Sequence, residues 1–253
     1  MSEKRNHHDY FQKAMMYDLL SKYYKYMDPV MHVNYYQKHL KYLNKGVQSM
    51  RNGMMQQMNQ PQPSRVRVIH ASPDAPNVDV YVNGNRILRD VPYKQVSNYM
   101  SLPEGRYQID IYPAGEMVST VISRKVNVES GKNYTLVAAG PANNLRLLTF
   151  EDQPRVPMGE TKVRFIHLSP DAPAVDIAVT KGDVIFPNVS FRQATNYLPL
   201  SPMTVDLEAR VAGTKNVALP LPGVQLSPNE VYTVLAVGLV SGEPGLEAII
   251  IKD

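Results

Sequence analysis

The chain of 253 residues contains no cysteine and no tryptophan, and it has 14 glycines against 20 prolines. Without cysteine, disulfides, thiol catalysis, iron–sulfur clusters and Cys-ligated zinc are excluded. No stretch approaches the ~18 consecutive apolar residues of a membrane-spanning helix. Phosphate-loop and dinucleotide-binding glycine fingerprints are missing, and no pair of carboxylates has the look of an acid/base couple. What is present is a chain 43% hydrophobic and 20% charged, a balance that supports a packed core.

The net charge of +4 is unevenly placed. Residues 1–63 hold nine Lys/Arg against four Asp/Glu, and the rest hold 18 against 19. The same segment carries eight of the 16 tyrosines, nine of the 13 methionines and four of the six histidines. It ends at Gln60-Pro61-Gln62-Pro63, a linker that disfavours helix. We read residues 1–63 as an arm with its linker. Met1 to Asp9 is polar and no apolar signal core follows, so ordinary secretion is not expected.

The arm reads as an α-helical hairpin. Met16, Leu20, Tyr23 and Met27 form a helical stripe over about Tyr10–Met27, which Asp28-Pro29 ends. A second stripe runs Val33, Tyr36, Leu40, Leu43, Val47, Met50, Met54, in alternating steps of three and four. That is the seam of a helix that packs on another helix, weakened at Gly46 and Gly53 by about 1 kcal/mol each. Docking on the rest of the chain and self-association both fit these residues. Lysines and tyrosines interleave in Ser21–Tyr26, but without an arginine cluster nucleic acid is not the expected partner. His7, His8, His32 and His39 are read as solvated or packed rather than as metal ligands.

The remainder is an internal repeat at an offset of 97–98 residues. Arg65–Val80, R-V-R-V-I-H-A-S-P-D-A-P-N-V-D-V, returns as Lys162–Ile177, K-V-R-F-I-H-L-S-P-D-A-P-A-V-D-I. Val91, Gln95, Asn98, Tyr99 and Leu102 match Val189, Gln193, Asn196, Tyr197 and Leu200. Tyr134-Thr135 and Gly140 match Tyr232-Thr233 and Gly238. Each copy shows short alternating stretches separated by turns, including Asn83-Gly84, a tight-hairpin signal. The pattern predicts a mainly β chain of two tandem antiparallel β-sandwiches, residues 64–155 and 156–253.

The block V-R-V-I-H-A-S-P-D-A-P-x-V-D-V-Y-V-N-G and the later G-K-N-Y-T-L-V-A-A-G resemble DUF4397, a family of domains of unknown function. The resemblance implies an Ig-like sandwich, found in bacterial proteins that are often surface-associated and often carry the domain in tandem. It implies no enzyme, cofactor or catalytic residue.

Three residues of each copy, His70, Asp74 and Asp79 with His167, Asp171 and Asp176, are the candidate ligand or metal positions, since imidazole and carboxylate suit a divalent cation. The competing reading is a rigid inter-strand corner in which Asp and Ser accept or donate local hydrogen bonds. A Ser-His-Asp hydrolase is disfavoured, because Ser72 lies two residues from His70 and no nucleophile elbow is visible. The expected function is a non-enzymatic structural or adhesive protein of a bacterial envelope, spore coat or cell surface. The arm would carry self-association, or attachment to coat proteins, through Val33–Met54. The alternatives are a ligand- or carbohydrate-binding module and a metal-dependent enzyme.

Overall fold

Asp28-Pro29 both ends one helix and starts the next. In the computed structural model, which describes residues 7–58 and 62–253, α1 spans His7–Tyr24 and α2 spans Pro29–Met58. Asp28 Oδ1 accepts the backbone N–H groups of Val30 (3.0 Å) and Met31 (3.1 Å), satisfying donors that a helix start leaves unpaired. Pro29 occupies the first helical position, where its missing N–H costs nothing.

The faces that join the two helices are aromatic and polar. Tyr17 stacks on Tyr35 and Tyr42, and Tyr24 on Tyr35, with ring centroids 5.4–6.2 Å apart. His32 Nδ1 donates to Ser21 O (2.9 Å) and His39 Nδ1 to Ala14 O (3.0 Å). Ala14, Ser21 and Gly46 are buried. A Cβ on Gly46 would lie 2.9 Å from the Phe11 ring, so glycine's cost in helix propensity is met by close packing. The expected α1 stripe is therefore corrected: Met16, Tyr23 and Met27 are exposed. Counting Met as core and Ser, His and Tyr as neutral put the stripe on the wrong side, because small residues and hydrogen-bonding rings build this contact.

Sixteen strands follow among the described residues. The first repeat holds β1 (Ser64–Ala71), β2 (Val78–Val82), β3 (Asn85–Val91), β4 (Met100–Leu102), β5 (Gly105–Pro113), β6 (Ile122–Val128), β7 (Asn133–Ala139) and β8 (Arg146–Asp152). The second holds, in the same order, β9 (Thr161–His167), β10 (Val175–Val179), β11 (Val184–Val189), β12 (Leu198–Leu200), β13 (Met203–Val211), β14 (Val217–Leu226), β15 (Val231–Val237) and β16 (Glu247–Lys252). Each repeat makes two four-stranded sheets, ordered β4-β1-β7-β8 and β3-β2-β5-β6 in the first, β12-β9-β15-β16 and β11-β10-β13-β14 in the second. Asn83 (φ 49°) and Gly84 (φ 80°) turn β2 into β3, as a primed hairpin turn requires. The pairing is antiparallel with one exception per repeat: β1 runs parallel to β7, and β9 to β15. The antiparallel expectation is corrected there, because strands so far apart in sequence are joined by a long crossover and not by a hairpin.

Val66, Val68, Val80, Ile109 and Leu136 fill the first sandwich, and Val163, Phe165, Ile177, Leu207 and Val234 the second. A third core lies between the repeats. Ile69, Ala71, Val137 and Ala139 meet Ile166, Leu168, Leu235 and Val237, all fully buried. Both faces of β1 and β9 are thus covered, and Gln62–Asp253 forms one compact unit, with Met1–Pro61 as the other.

Beside this third core the repeats exchange charges. Arg67 ion-pairs with Asp253 of the second repeat and donates through Nη1 to Lys252 O (2.7 Å). Arg164 ion-pairs with Asp152 of the first repeat and donates to Glu151 O (2.9 Å). The arginine side chains are 3% exposed and the carboxylates 0%. Thr135 Oγ1 accepts from Arg67 Nε (2.8 Å) and donates to Asp152 Oδ2 (2.7 Å); Thr233 links Arg164 to Asp253 in the same way. Tyr99 and Tyr197 donate their hydroxyls to Asp152 and Asp253 and lie under Arg67 and Arg164 at 4.7 and 4.6 Å. Removing one member of such a set strands a buried charge. Arg164→Leu is expected to lower stability by about 3 kcal/mol in urea denaturation, and Arg164→Leu with Asp152→Asn to recover much of the loss. Equal losses in the two variants would mean that the stranded, buried carboxylate charge is not the cause.

Candidate functional site

The His-x-Ser-Pro-Asp-Ala-Pro segments leave β1 and β9 and cross to β2 and β10 in the opposite sheet. Each segment bends at residues 73–75 or 170–172, and its two prolines fix φ at two positions of the corner. His70 and His167 are fully buried. Their Nε2 atoms lie 3.0 Å from Pro76 O and Pro173 O. A carbonyl can only accept, so Nε2 carries the proton in both rings. His70 Nδ1 then accepts the Ser72 N–H at 3.4 Å, and His167 Nδ1 is buried without a partner. Tyr93 and Phe191 present ring edges to the two imidazoles at 6.4 and 6.3 Å. Burial pushes both histidines below their ordinary pKa of 6.5, against the Pro76 and Pro173 hydrogen bonds, which act the other way.

The carboxylates are engaged by other parts of the chain. Asp74 Oδ1 accepts the Ala142 N–H (2.9 Å) and the Ser72 hydroxyl (3.2 Å). Asp171 accepts the N–H groups of Val240 (2.8 Å) and Ser241 (2.9 Å), with Ser169 at 3.2 Å. These bonds tie each corner to the loop between the last two strands of its repeat. Asp79 accepts the Asp90 N–H (2.7 Å) and pairs with Arg86, and Asp176 accepts those of Asn188 (2.7 Å) and Gly213 (2.8 Å). Burial alone would raise Asp79 and Asp171, but the donors aimed at them hold both below the usual carboxylate range.

Each corner therefore gathers its three residues into one stretch of chain but aims them at separate partners. Among the described residues no group of three or more His, Asp or Glu is placed to hold a metal ion. The histidine Nε2 faces a carbonyl and the serine hydroxyl faces an aspartate, which is not the geometry of a Ser-His-Asp relay. No helix among the described residues is long and apolar enough to cross a membrane.

Two features escaped the sequence reading. Each sandwich has an apolar cavity between its sheets. The one in the second repeat measures about 260 Å³ and is lined by Phe165, Ile185, Phe186, Leu200, Met203 and Val205 among others. The one in the first measures about 400 Å³, at the matching positions Val68, Ile87, Met100, Leu102 and Tyr107. The matched polar residues Arg67/Arg164, Thr135/Thr233 and Tyr99/Tyr197 are likewise visible in the alignment of the two copies. A cation repeated in mid-strand was the signal available.

A neutral buried histidine makes stability depend on pH in a defined direction. The unfolded chain binds the proton more readily than the native one, so the folded state is undiminished above pH 6.5 and loses stability as pH falls below it. The melting temperature should fall between about pH 6.5 and 5, and His70→Asn with His167→Asn should flatten that slope. An unchanged slope in the double variant, read by circular dichroism, would assign the effect to other groups.

Residues 64–178 match a family model described as "Domain of unknown function (DUF4397)". That stretch covers the first repeat and both copies of the His-x-Ser-Pro-Asp-Ala-Pro corner. No curated protein matches the chain. Among solved structures, a candidate cell adhesion protein from Bacteroides fragilis NCTC 9343 is similar at 10% identity and a TM-score of 0.19, over 75% of this chain and 97% of that one. A likeness this slight carries neither fold nor role. It is over residues 64–178, with the corner that opens each of its sandwiches, that the chain is similar to the DUF4397 family.

Proposed function

We propose that the protein is a non-enzymatic structural or adhesive component of a bacterial surface layer, of an envelope or a spore, and that it assembles with further copies of itself through the outer face of α2. The observation that carries this reading is the position of the α2 seam. Val33, Tyr36, Leu40, Val47, Met50 and Met54 are 40–57% exposed, while the contact with α1 uses the neighbouring His32, Tyr35, His39 and Tyr42. A stripe with the three–four spacing of a helix seam is thus left over once the hairpin has formed, and an apolar stripe of that period fits another helix. The engaged His, Ser and Asp groups of the corner, and its tie to a distant loop, support a structural role for the repeated motif.

A second reading rests on the paired cavities. Their apolar lining suits an aliphatic ligand better than a sugar, which needs convergent polar groups. Under that reading a short aliphatic alcohol raises the melting temperature saturably, and Met203→Trp, which fills the second cavity, reduces the effect.

Light scattering tests the first reading. The intact chain is expected to have a mass of at least two copies of 28.5 kDa. Leu40→Glu with Val47→Glu, both on the exposed face, should reduce it to one. A single-copy mass for the unaltered chain, or an unchanged multiple in the variant, overturns assembly through α2.

A further inference from the structure

The two repeats meet with nearly matched contacts at both ends of their interface, and at one end the match fails. Lys94 and Arg192 are counterparts. Each has φ near 70°, and each donates its backbone N–H to the carbonyl of its repeat's histidine, Lys94 to His70 and Arg192 to His167, at 2.8 Å. Strand register makes Arg146 and Glu247 counterparts as well. Arg146 stands opposite Ala139 in the β7–β8 pair, and Glu247 opposite Val237 in the β15–β16 pair.

At one end the result is an ion pair between repeats, with Lys94 Nζ donating to Glu247 Oε1 at 2.7 Å. At the other end Arg192 reaches Asn144 O, two residues from Arg146, near enough for the Arg146 charge to act on it. Two cations stand where a cation and a carboxylate stand in the sister site.

Arg192 is held firmly in this setting. Its Nη2 donates to Asn144 O at 3.0 Å, and its guanidinium lies 4.7 Å from the centre of the Phe191 ring. A Cβ on Gly140 would come within 2.6 Å of Nη2, so the glycine leaves the arginine its seat. Arg192 Nε is buried with no hydrogen-bond partner. Burial, followed by the Arg146 charge, pushes the Arg192 guanidinium below its ordinary pKa. Arg146 is exposed, and none of the ion pairs among the described residues includes it.

We propose that Arg146 and Arg192 form a binding site for a tetrahedral oxyanion, a phosphate or sulfate group. Such a group supplies the negative charge that Glu247 supplies at the sister site. Its several oxygens match the planar donor fork of a guanidinium, which is built for two-point recognition of oxyanions. One anion between two arginines relieves their repulsion and gives the fork of each an acceptor.

The test uses the intact chain and two probes, inorganic phosphate and inorganic sulfate, each titrated at ionic strength held constant with chloride. Heat of binding and melting temperature are read together. Saturable binding of at least one probe is expected, and the probe that binds more tightly identifies the group. Arg146→Glu recreates the Lys94–Glu247 arrangement, so it should fold at least as stably as the parent and weaken binding about tenfold or more. Arg192→Gln should weaken it similarly. No saturable binding of either anion overturns the site. So does a response equal in the parent and in Arg146→Glu, which would be the general effect of excluded salts on stability.

Discussion

Each repeat carries a buried arginine whose counter-ion belongs to the other repeat. Arg67 and Arg164 keep their charge in a nearly dry setting because Asp253 and Asp152 reach across to them. The carboxylates' own repeats supply the hydroxyls of Tyr and Thr, and for Asp253 also the more distant Arg164 at 3.8 Å. Separating the halves would expose an apolar core and strand two ion pairs together. An ion pair of this kind contributes little net stability over apolar packing, but it penalises every misaligned arrangement. Hydrophobic contact between Ile69, Val137, Ile166 and Leu235 would tolerate sliding; the crossed pairs do not.

The repeat and its strands were legible because strands mark themselves twice, by period-two alternation and by turn residues such as Asn83-Gly84. A duplicated chain also prints each mark a second time. The contact between the copies was not legible, because alternation tells which residues share a face and not what covers that face. Alternation in R-V-R-V-I-H puts Arg67 on one face with Arg65 and Ile69, and the other repeat covers Arg67 and Ile69. Tyr99 and Tyr197 stand out in the sequence only as matched positions of the repeat, and the structure shows that their hydroxyls close the ion network. In the arm, the breaking point at Asp28-Pro29 was visible but the packing face of α1 was not, since Ala14, Ser21 and Tyr17 rank below Met and Leu on any scale of apolarity. At the corner, His70 and Asp74 were visible as a motif. Their partners, Pro76 O and the amide of Ala142, are backbone groups and leave no trace in the residue types.

The repeated corner is where one sheet hands the chain to the other and where a distant loop is clamped. Chemistry directed at other molecules falls to surfaces instead. The α2 face is apolar and periodic, the sandwich cavities are largely apolar and lined by strand residues, and the Arg146–Arg192 end of the interface is cationic. These are three different kinds of surface on one chain, and none of them requires the buried histidines to do more than hold a corner.

The unequal ends of the interface carry one more consequence. Two separate, identical subunits related by a two-fold axis make every contact twice, so a feature gained at one end appears at the other. Joining both halves in a single polypeptide lifts that obligation. Lys94–Glu247 clasps one end while the matching positions at the other hold two arginines, an inequality closed to identical two-fold-related subunits and open to halves of differing sequence in one polypeptide.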